Sequence, residues 1–271
     1  SAAGLVNITG DRTQGVIISG LTSIGGDNTS GLMISGFMNV TGNMASGLHF
    51  SGAANITGQS FGGLMASGLL NVVGEHMNGL QMAGIANITA SKLNGVQIAL
   101  CNYATQARGL QIGLVNYYKE NMKGFQLGLV NANPDTRVQM MVYGGNATPA
   151  NIGVRFKNQL FYTILGIGSM YQGLNDKFSA SASYRAGLSF TLYKGLSISG
   201  DLGYQHIEAF DNKDEVIPKR LYALQARANL EYQFTRKFGI FATGGYGLTR
   251  FYNKSSNYDK GAIIEAGIVL F

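Results

Sequence analysis

Three histidines, one cysteine and a sparse set of charged residues are all that the 271-residue chain offers for chemistry. His206 and Glu208 lie two apart, so on a strand they face the same way. With a serine from a neighbouring strand they could make the base, carboxylate and nucleophile of a lipid hydrolase. A polar fringe at a strand end explains the same pair equally well. His49 and His76 have no second His or Cys at ligand spacing, so no metal site is expected. Gly244-Gly-Tyr-Gly247 stands inside a strand pattern, not between a strand and a helix, and is therefore no phosphate loop. Cys101 has no partner for an internal disulfide and takes a position that other repeats fill with Val or Ala. Neither catalytic nor cofactor-binding residues are assigned, and the chain reads as a non-enzymatic protein.

The elements around these residues are strands. In Phe178–Leu192, Phe178, Ala180, Ala182, Tyr184, Ala186, Leu188, Phe190 and Leu192 share one face, while Ser179, Ser181, Ser183, Arg185, Gly187, Ser189 and Thr191 share the other. Likewise Tyr222, Leu224, Ala226, Ala228, Leu230, Tyr232 and Phe234 oppose Gln225, Arg227, Asn229, Glu231 and Gln233. Soluble strands are typically about five or six residues long, whereas these run to 13 or more, as strands of a membrane barrel do. The alternation predicts eight strands, near 137–145, 150–157, 159–171, 178–193, 195–208, 219–234, 237–252 and 260–271. Connections at Lys157-Asn158, Tyr193-Lys194-Gly195 and Thr235-Arg236-Lys237 are tight, while those at 172–177, 209–219 and 253–259 are longer and polar. That is the outer-membrane arrangement, with tight turns and both ends of this half in the periplasm. An eight-strand barrel is filled by its own side chains, so Arg185, Asp201, Arg227, Glu231 and Glu265 are expected to pair in its interior. In a sixteen-strand barrel the same charges would line a channel.

The first half repeats every 16 residues. Gly falls at 15, 31, 47, 63, 79 and 95, and Asn at 39, 55, 71 and 87. One apolar column runs Val16, Leu32, Leu48, Leu64, Leu80, Val96, Leu110 and Phe125, and another, two residues on, runs from Ile18 and Ile34 to Leu127. Between them lies a less apolar column that ends as Gln81, Gln97, Gln111 and Gln126. A fixed period with stacked Gly, Ser and Asn predicts a parallel β-solenoid of about eight coils in two sheets. Loss of the Gly after Ala99, with the apolar pattern recovered at Leu100, places a corner at the Ser-Gly pair, since a straight strand would flip its faces. The alternative left open is that each repeat is one straight membrane strand, giving a single sixteen-strand barrel that acts as a passive diffusion channel. The Asn-X-Thr triplets at Asn7, Asn39, Asn55 and Asn87 follow from the repetition and need no sugar to explain them.

Composition agrees with these readings. Only Asp11, Arg12, Asp27, Glu75 and Lys92 are charged in the first 104 residues, too few for a wholly water-exposed surface. The net charge of +6 is scattered, which excludes a nucleic-acid-binding face. Ser1-Ala-Ala fits the start of a mature chain whose export signal has been removed. The fold expected is all-β, with a repeat region over 1–134 and an antiparallel transmembrane barrel over 135–271.

Two stretches carry a family resemblance. The ending Ala-Gly-Ile-Val-Leu-Phe271 resembles the terminal strand of bacterial outer-membrane proteins, which implies that Phe271 is the signal read by barrel-assembly machinery. Phe271 shares its phase with Glu265, so a bulge or an end effect is required there. Gly109-Leu-Gln-Ile-Gly-Leu-Val-Asn116 and Gly124-Phe-Gln-Leu-Gly-Leu-Val-Asn131 resemble the surface repeats of Bacteroidota and Leptospira proteins, and the second half resembles Bacteroidota-type outer-membrane barrels. Earlier repeats depart by carrying Ser-Gly for Gly. The resemblance implies the bacterial cell outer membrane and no activity. The expected partners are outer-membrane lipid and another outer-membrane or periplasmic protein, for which this chain would serve as an anchoring or accessory subunit.

Overall fold

The computed structural model describes residues 1–158, 160–169, 171, 178–210, 220–252 and 257–271. They divide into two compact units, Ser1–Pro134 and Asp135–Phe271.

In the first unit each coil contributes a long strand and a short one, as in Asn28–Ser35 with Met38–Thr41 and Met44–Ser51 with Ala54–Thr57. Long strands pair in parallel one repeat apart, Gly31 with Gly47 and Leu32 with Leu48, and short strands do the same, Asn39 with Asn55. The unit is a two-sheeted solenoid with a corner at each Ser-Gly pair. From residue 86 onwards the short strand runs directly into the next long one, as Ala86–Ile98, Cys101–Ile112 and Val115–Leu127. The shortened periods are absorbed at the corner beside Leu100 and at register shifts between Thr89 and Lys92 and between Ala104 and Gln106.

One glycine column is fixed by backbone geometry. Gly63 has φ +130°, and a Cβ there would stand 2.1 Å from the carbonyl oxygen of Gly47 in the coil before. Only a residue without a side chain meets both conditions.

The solenoid interior combines stacked amides with apolar side chains, and many of its outward columns are apolar. The inward column of the long strands is Ile17, Met33, His49, Met65, Gln81, Gln97, Gln111 and Gln126, and all eight are buried. Its two apolar neighbours, the Val16 and Ile18 columns, face outward. On the short strands the Asn column points inward and forms a ladder in which Asn39, Asn55, Asn71, Asn87, Asn102 and Asn116 each donate to the next at 2.8–3.1 Å. A second ladder runs from Gln126 through Gln111 and Gln97 to Gln81, each step 2.8 Å. Stacking at one coil per repeat brings identical amides within bonding distance, so the Asn and Gln side chains of successive coils bond one another. An apolar cluster in the interior gathers around Phe61, Met65, Met77, Leu93 and Tyr118.

The second unit is a closed barrel of eight strands, Arg137–Gly145, Ala150–Asn158, Phe161–Ser169, Ser179–Tyr193, Leu196–Ala209, Arg220–Thr235, Phe238–Phe251 and Asn257–Leu270. Each pairs antiparallel with the next, and the first closes on the last through Met140 with Leu270 to Gly145 with Glu265. The sixteen-strand alternative is therefore overturned. The repeats pair in parallel at a 16-residue offset, and the barrel closes within the second unit. The last strand starts three residues earlier than the alternation predicts. The longer connections expected at 172–177, 209–219 and 253–259 lie mostly outside the described residues, as do residues 159 and 170 of the predicted third strand.

Candidate functional site

Inside the barrel, alternation turns every second side chain inward, and the five charges predicted to point there are all buried. Asp201 is gripped by Arg185, whose Nε and Nη2 each donate at 2.8 Å. Tyr162 Oη and Asn229 Nδ2 also donate to Asp201, both at 2.8 Å. Glu265 accepts from Arg227 Nε at 3.1 Å and lies 3.6 Å from Arg185 Nη1. Glu231 does not join these. It is held in a two-pronged pair by Arg155, at 2.6 Å and 2.9 Å, and Arg155 donates further to Gln139 at 2.6 Å. Three guanidinium groups thus meet three carboxylates, and charge cancels where solvation is poor. Sequence reasoning missed Arg155, although it shares a phase with Asn151 and Gly153, opposite Ile152 and Val154. Near the tight turns a vestibule of about 350 Å³ is lined by Arg137, Lys157 and Glu231. The Arg155–Glu231 pair stands at its inner limit.

His206 and Glu208 both face outward, and the serines of the adjoining strand do not. His206 is opposite Ala182 and Glu208 opposite Ala180, while Ser179 and Ser181 point into the barrel. Ser169 lies on the outer face, but Ala180 separates it from Glu208, a gap of two strands or about 10 Å. The hydrolase set is therefore not assembled. His206 Nδ1 instead contacts Tyr252 Oη at 2.8 Å, Tyr252 bonds Tyr204, and Arg220 pairs with Glu208 at 3.3 Å.

Among the described residues no three His, Cys, Asp or Glu side chains are grouped to hold a metal ion. His49 is buried in the solenoid against the edge of Phe61, ring centroids 4.9 Å apart, and burial lowers its pKa to about 4. Cys101 is exposed, in register with Ala86 and Val115. Asn7, Asn39, Asn55 and Asn87 are buried inside the solenoid. Phe271 lies past the end of the last strand, with its backbone N–H bonded to Lys237 at 3.3 Å. The conflict of phase with Glu265 is thus an end effect, not a bulge.

A long apolar surface feature runs along the solenoid. Its corner carries Leu21, Phe37, Leu69, Ile85, Leu100, Leu114 and Leu129, all exposed. Outward columns continue this band on both sheets, from Val16 to Phe125 on one and from Ile24 through Val72 to Tyr117 on the other. No charged residue interrupts it. The charged and polar residues Arg12, Asp27, Gln59, Glu75 and Lys92 gather on the opposite edge. Eight coils at ~4.8 Å each make the band about 35 Å long, well beyond the apolar patches of ordinary monomers.

No protein-family model matches the chain, and no curated protein does. Two solved barrels are similar to about half of this chain. The N-terminal β-barrel domain of Pseudomonas aeruginosa OprF is 16% identical with a TM-score of 0.32, covering 49% of this chain and 93% of that one. Neisserial surface protein A is 9% identical with a TM-score of 0.35, covering 49% of this chain and 92% of that one.

Proposed function

We propose that this chain is a non-enzymatic outer-membrane subunit whose barrel anchors it in the bilayer and whose solenoid offers an apolar docking band to another membrane-associated protein. The observation that carries this reading is the inverted solenoid. Its amide ladders occupy the interior while its Leu, Ile and Phe columns face out, an arrangement that wastes burial unless a partner covers the band.

The barrel supports the anchoring half. Its outer wall is Val142, Ile152, Val154, Leu188, Leu202, Leu230 and Ile264, among others, all exposed. Lipid solvates such a wall and water does not. The neutral ion-pair network fills the interior, so the barrel holds the chain in place without conducting. Because the chain enters the barrel at Arg137, on the tight-turn side, the repeats belong in the periplasm.

The test replaces Cys101 with Ser and puts single cysteines at Leu69, Ile85, Gln59 and Glu75. An impermeant thiol reagent should label none of them in intact cells. Once the outer membrane is opened it should label Gln59→Cys and Glu75→Cys, leaving Leu69→Cys and Ile85→Cys protected. Equal labelling of all four would show an uncovered band and end the docking reading. Ion conductance across a planar bilayer would end the non-conducting one.

A further inference from the structure

On the tight-turn side, the inward rows of the barrel end in a pair of like charges. Register sets Arg137 directly opposite Lys157 on the neighbouring strand, one step beyond the pair of Gln139 and Arg155. Gln139 and Arg155 are buried in the interior, so the period of two turns Arg137 and Lys157 inward as well. Both line the vestibule of about 350 Å³, together with Thr191, Ser197 and Gln233. Residues directly opposite one another stand about 4.5–5.5 Å apart at Cβ, and like charges there repel. Lys157 Nζ donates to the neutral Ser189 hydroxyl at 2.9 Å. Among the described residues neither Arg137 nor Lys157 has a carboxylate within ion-pair distance. Two acids share the lining, Asp135 and Glu231. Glu231 accepts from Arg155 on both of its oxygens, and that neutral pair closes the floor. Asp135 is exposed and offsets one charge, but Lys194, Arg236 and Lys237 add three exposed cations on the bordering turns. Gln159, which lies outside the described residues, is uncharged.

We propose that this vestibule binds the phosphate group of a small water-soluble molecule, held between Arg137 and Lys157. Arg presents planar, paired donors that suit phosphate oxygens, and Lys supplies a compact charge with donors to spare. A phosphate monoester carries about −1.5 to −2 charges at neutral pH, which relieves the repulsion of the opposed pair, whereas one carboxylate brings half as much. The Thr191 and Ser197 hydroxyls offer donors to its remaining oxygens. Because these side chains face the barrel axis, headgroups around the outer wall do not reach them, and the ligand enters along the axis from water. The closed floor makes the vestibule a blind site that binds without passing its ligand on. The turn cations Lys194, Arg236 and Lys237 concentrate anions at its mouth. Its volume is near the lower end for ligand pockets, about 300–1,000 Å³, and suits a phosphate ester with one sugar-sized group. The site rests on the barrel alone, while a periplasmic source for the ligand rests on the membrane reading given above.

The experiment uses the full chain in detergent, with barrel folding verified by heat-modifiable migration on gels. Isothermal titration calorimetry then measures binding of glycerol 3-phosphate, inorganic phosphate, succinate and acetate. The expected result is one molecule of glycerol 3-phosphate per chain, with succinate and acetate at least tenfold weaker. Inorganic phosphate binding as tightly as the ester identifies the free ion as the occupant, and tighter binding of the ester identifies a phosphorylated solute. The double variant Arg137→Gln/Lys157→Gln should lose at least tenfold in phosphate binding. Lys194→Gln/Lys237→Gln, on the turns outside the lining, should change it less than threefold. No binding of either phosphate, equal binding of succinate, or equal losses from the two double variants would overturn the site while leaving the folded barrel intact. A chain that never forms a heat-modifiable barrel would instead overturn the membrane reading itself.

Discussion

The guanidinium of Arg155 and the carboxylate of Glu231 face each other across the barrel interior in a two-pronged pair, from strands that are not neighbours in the sheet. The pair links opposite walls, and both side chains are buried. Removing one member leaves the other charged with little water to solvate it. Glu231→Leu alone should therefore destabilise the barrel by about 3–5 kcal/mol, whereas Arg155→Leu/Glu231→Leu together should cost much less. Urea titration of the detergent-folded barrel, followed by gel migration, measures both. A double variant as unstable as the single one would show that the pair contributes net stability and is more than neutral filling.

His49 makes the solenoid sensitive to acid. In the folded chain its pKa is about 4 against an ordinary 6.5, because burial disfavours the imidazolium. Between those values the unfolded chain binds more protons, so stability falls as the pH drops through that window and is regained above it. The full loss is on the order of 3 kcal/mol. His49→Met matches Met33 and Met65, its neighbours in the column, and should flatten the profile. Thermal unfolding followed by circular dichroism from pH 4 to pH 7 compares the two. Parallel curves would remove His49 as the cause.

Asn71 is an interior rung of the amide ladder. It accepts from Asn55, donates to Asn87, and caps the Met82 carbonyl, all within 2.7–2.9 Å. Asn71→Leu strands buried polar atoms in two coils at once, at about 1–3 kcal/mol for each group left without a partner. The same substitution at the end of the ladder, Asn131→Leu, should cost less. Hydrogen exchange by mass spectrometry should show protection lost on both sides of residue 71, and loss confined to one coil would contradict a continuous ladder.

Deleting Phe271 separates assembly from stability. The residue is beyond the last strand and partly exposed, so the folded barrel should lose less than ~1 kcal/mol, as is usual for surface changes. Outer-membrane insertion in cells should fall severalfold if the terminal aromatic residue is an assembly signal. Unchanged insertion would dismiss that role.

The barrel was legible because an apolar outer wall and a packed polar interior impose a strict period of two. Strand bounds around Arg185 and Arg227 could be read almost to the residue. Arg155 escaped notice because its strand is short and ends in Arg-Phe-Lys, where the alternation has no room to repeat. The solenoid was legible as stacked coils, since Gly15 to Gly95 keep one interval, but its inside and outside were not. Period two sorts side chains into two faces without saying which face is the core. Hydrophobicity normally decides, yet here Gln81 and Asn71 are inside and Leu69 and Ile85 outside, because amides stacked one coil apart bond one another.

The glycine column also sets how this molecule can change. Each coil meets the next through the same backbone contacts, so an in-frame duplication or loss of 16 residues, such as 47–62, adds or removes one whole rung and leaves its neighbours in register. An insertion of any other length must be absorbed by a corner or a bulge. The solenoid therefore behaves as a ruler graduated in steps of about 4.8 Å, whose reach can be reset by recombination between repeats without redesigning a single contact.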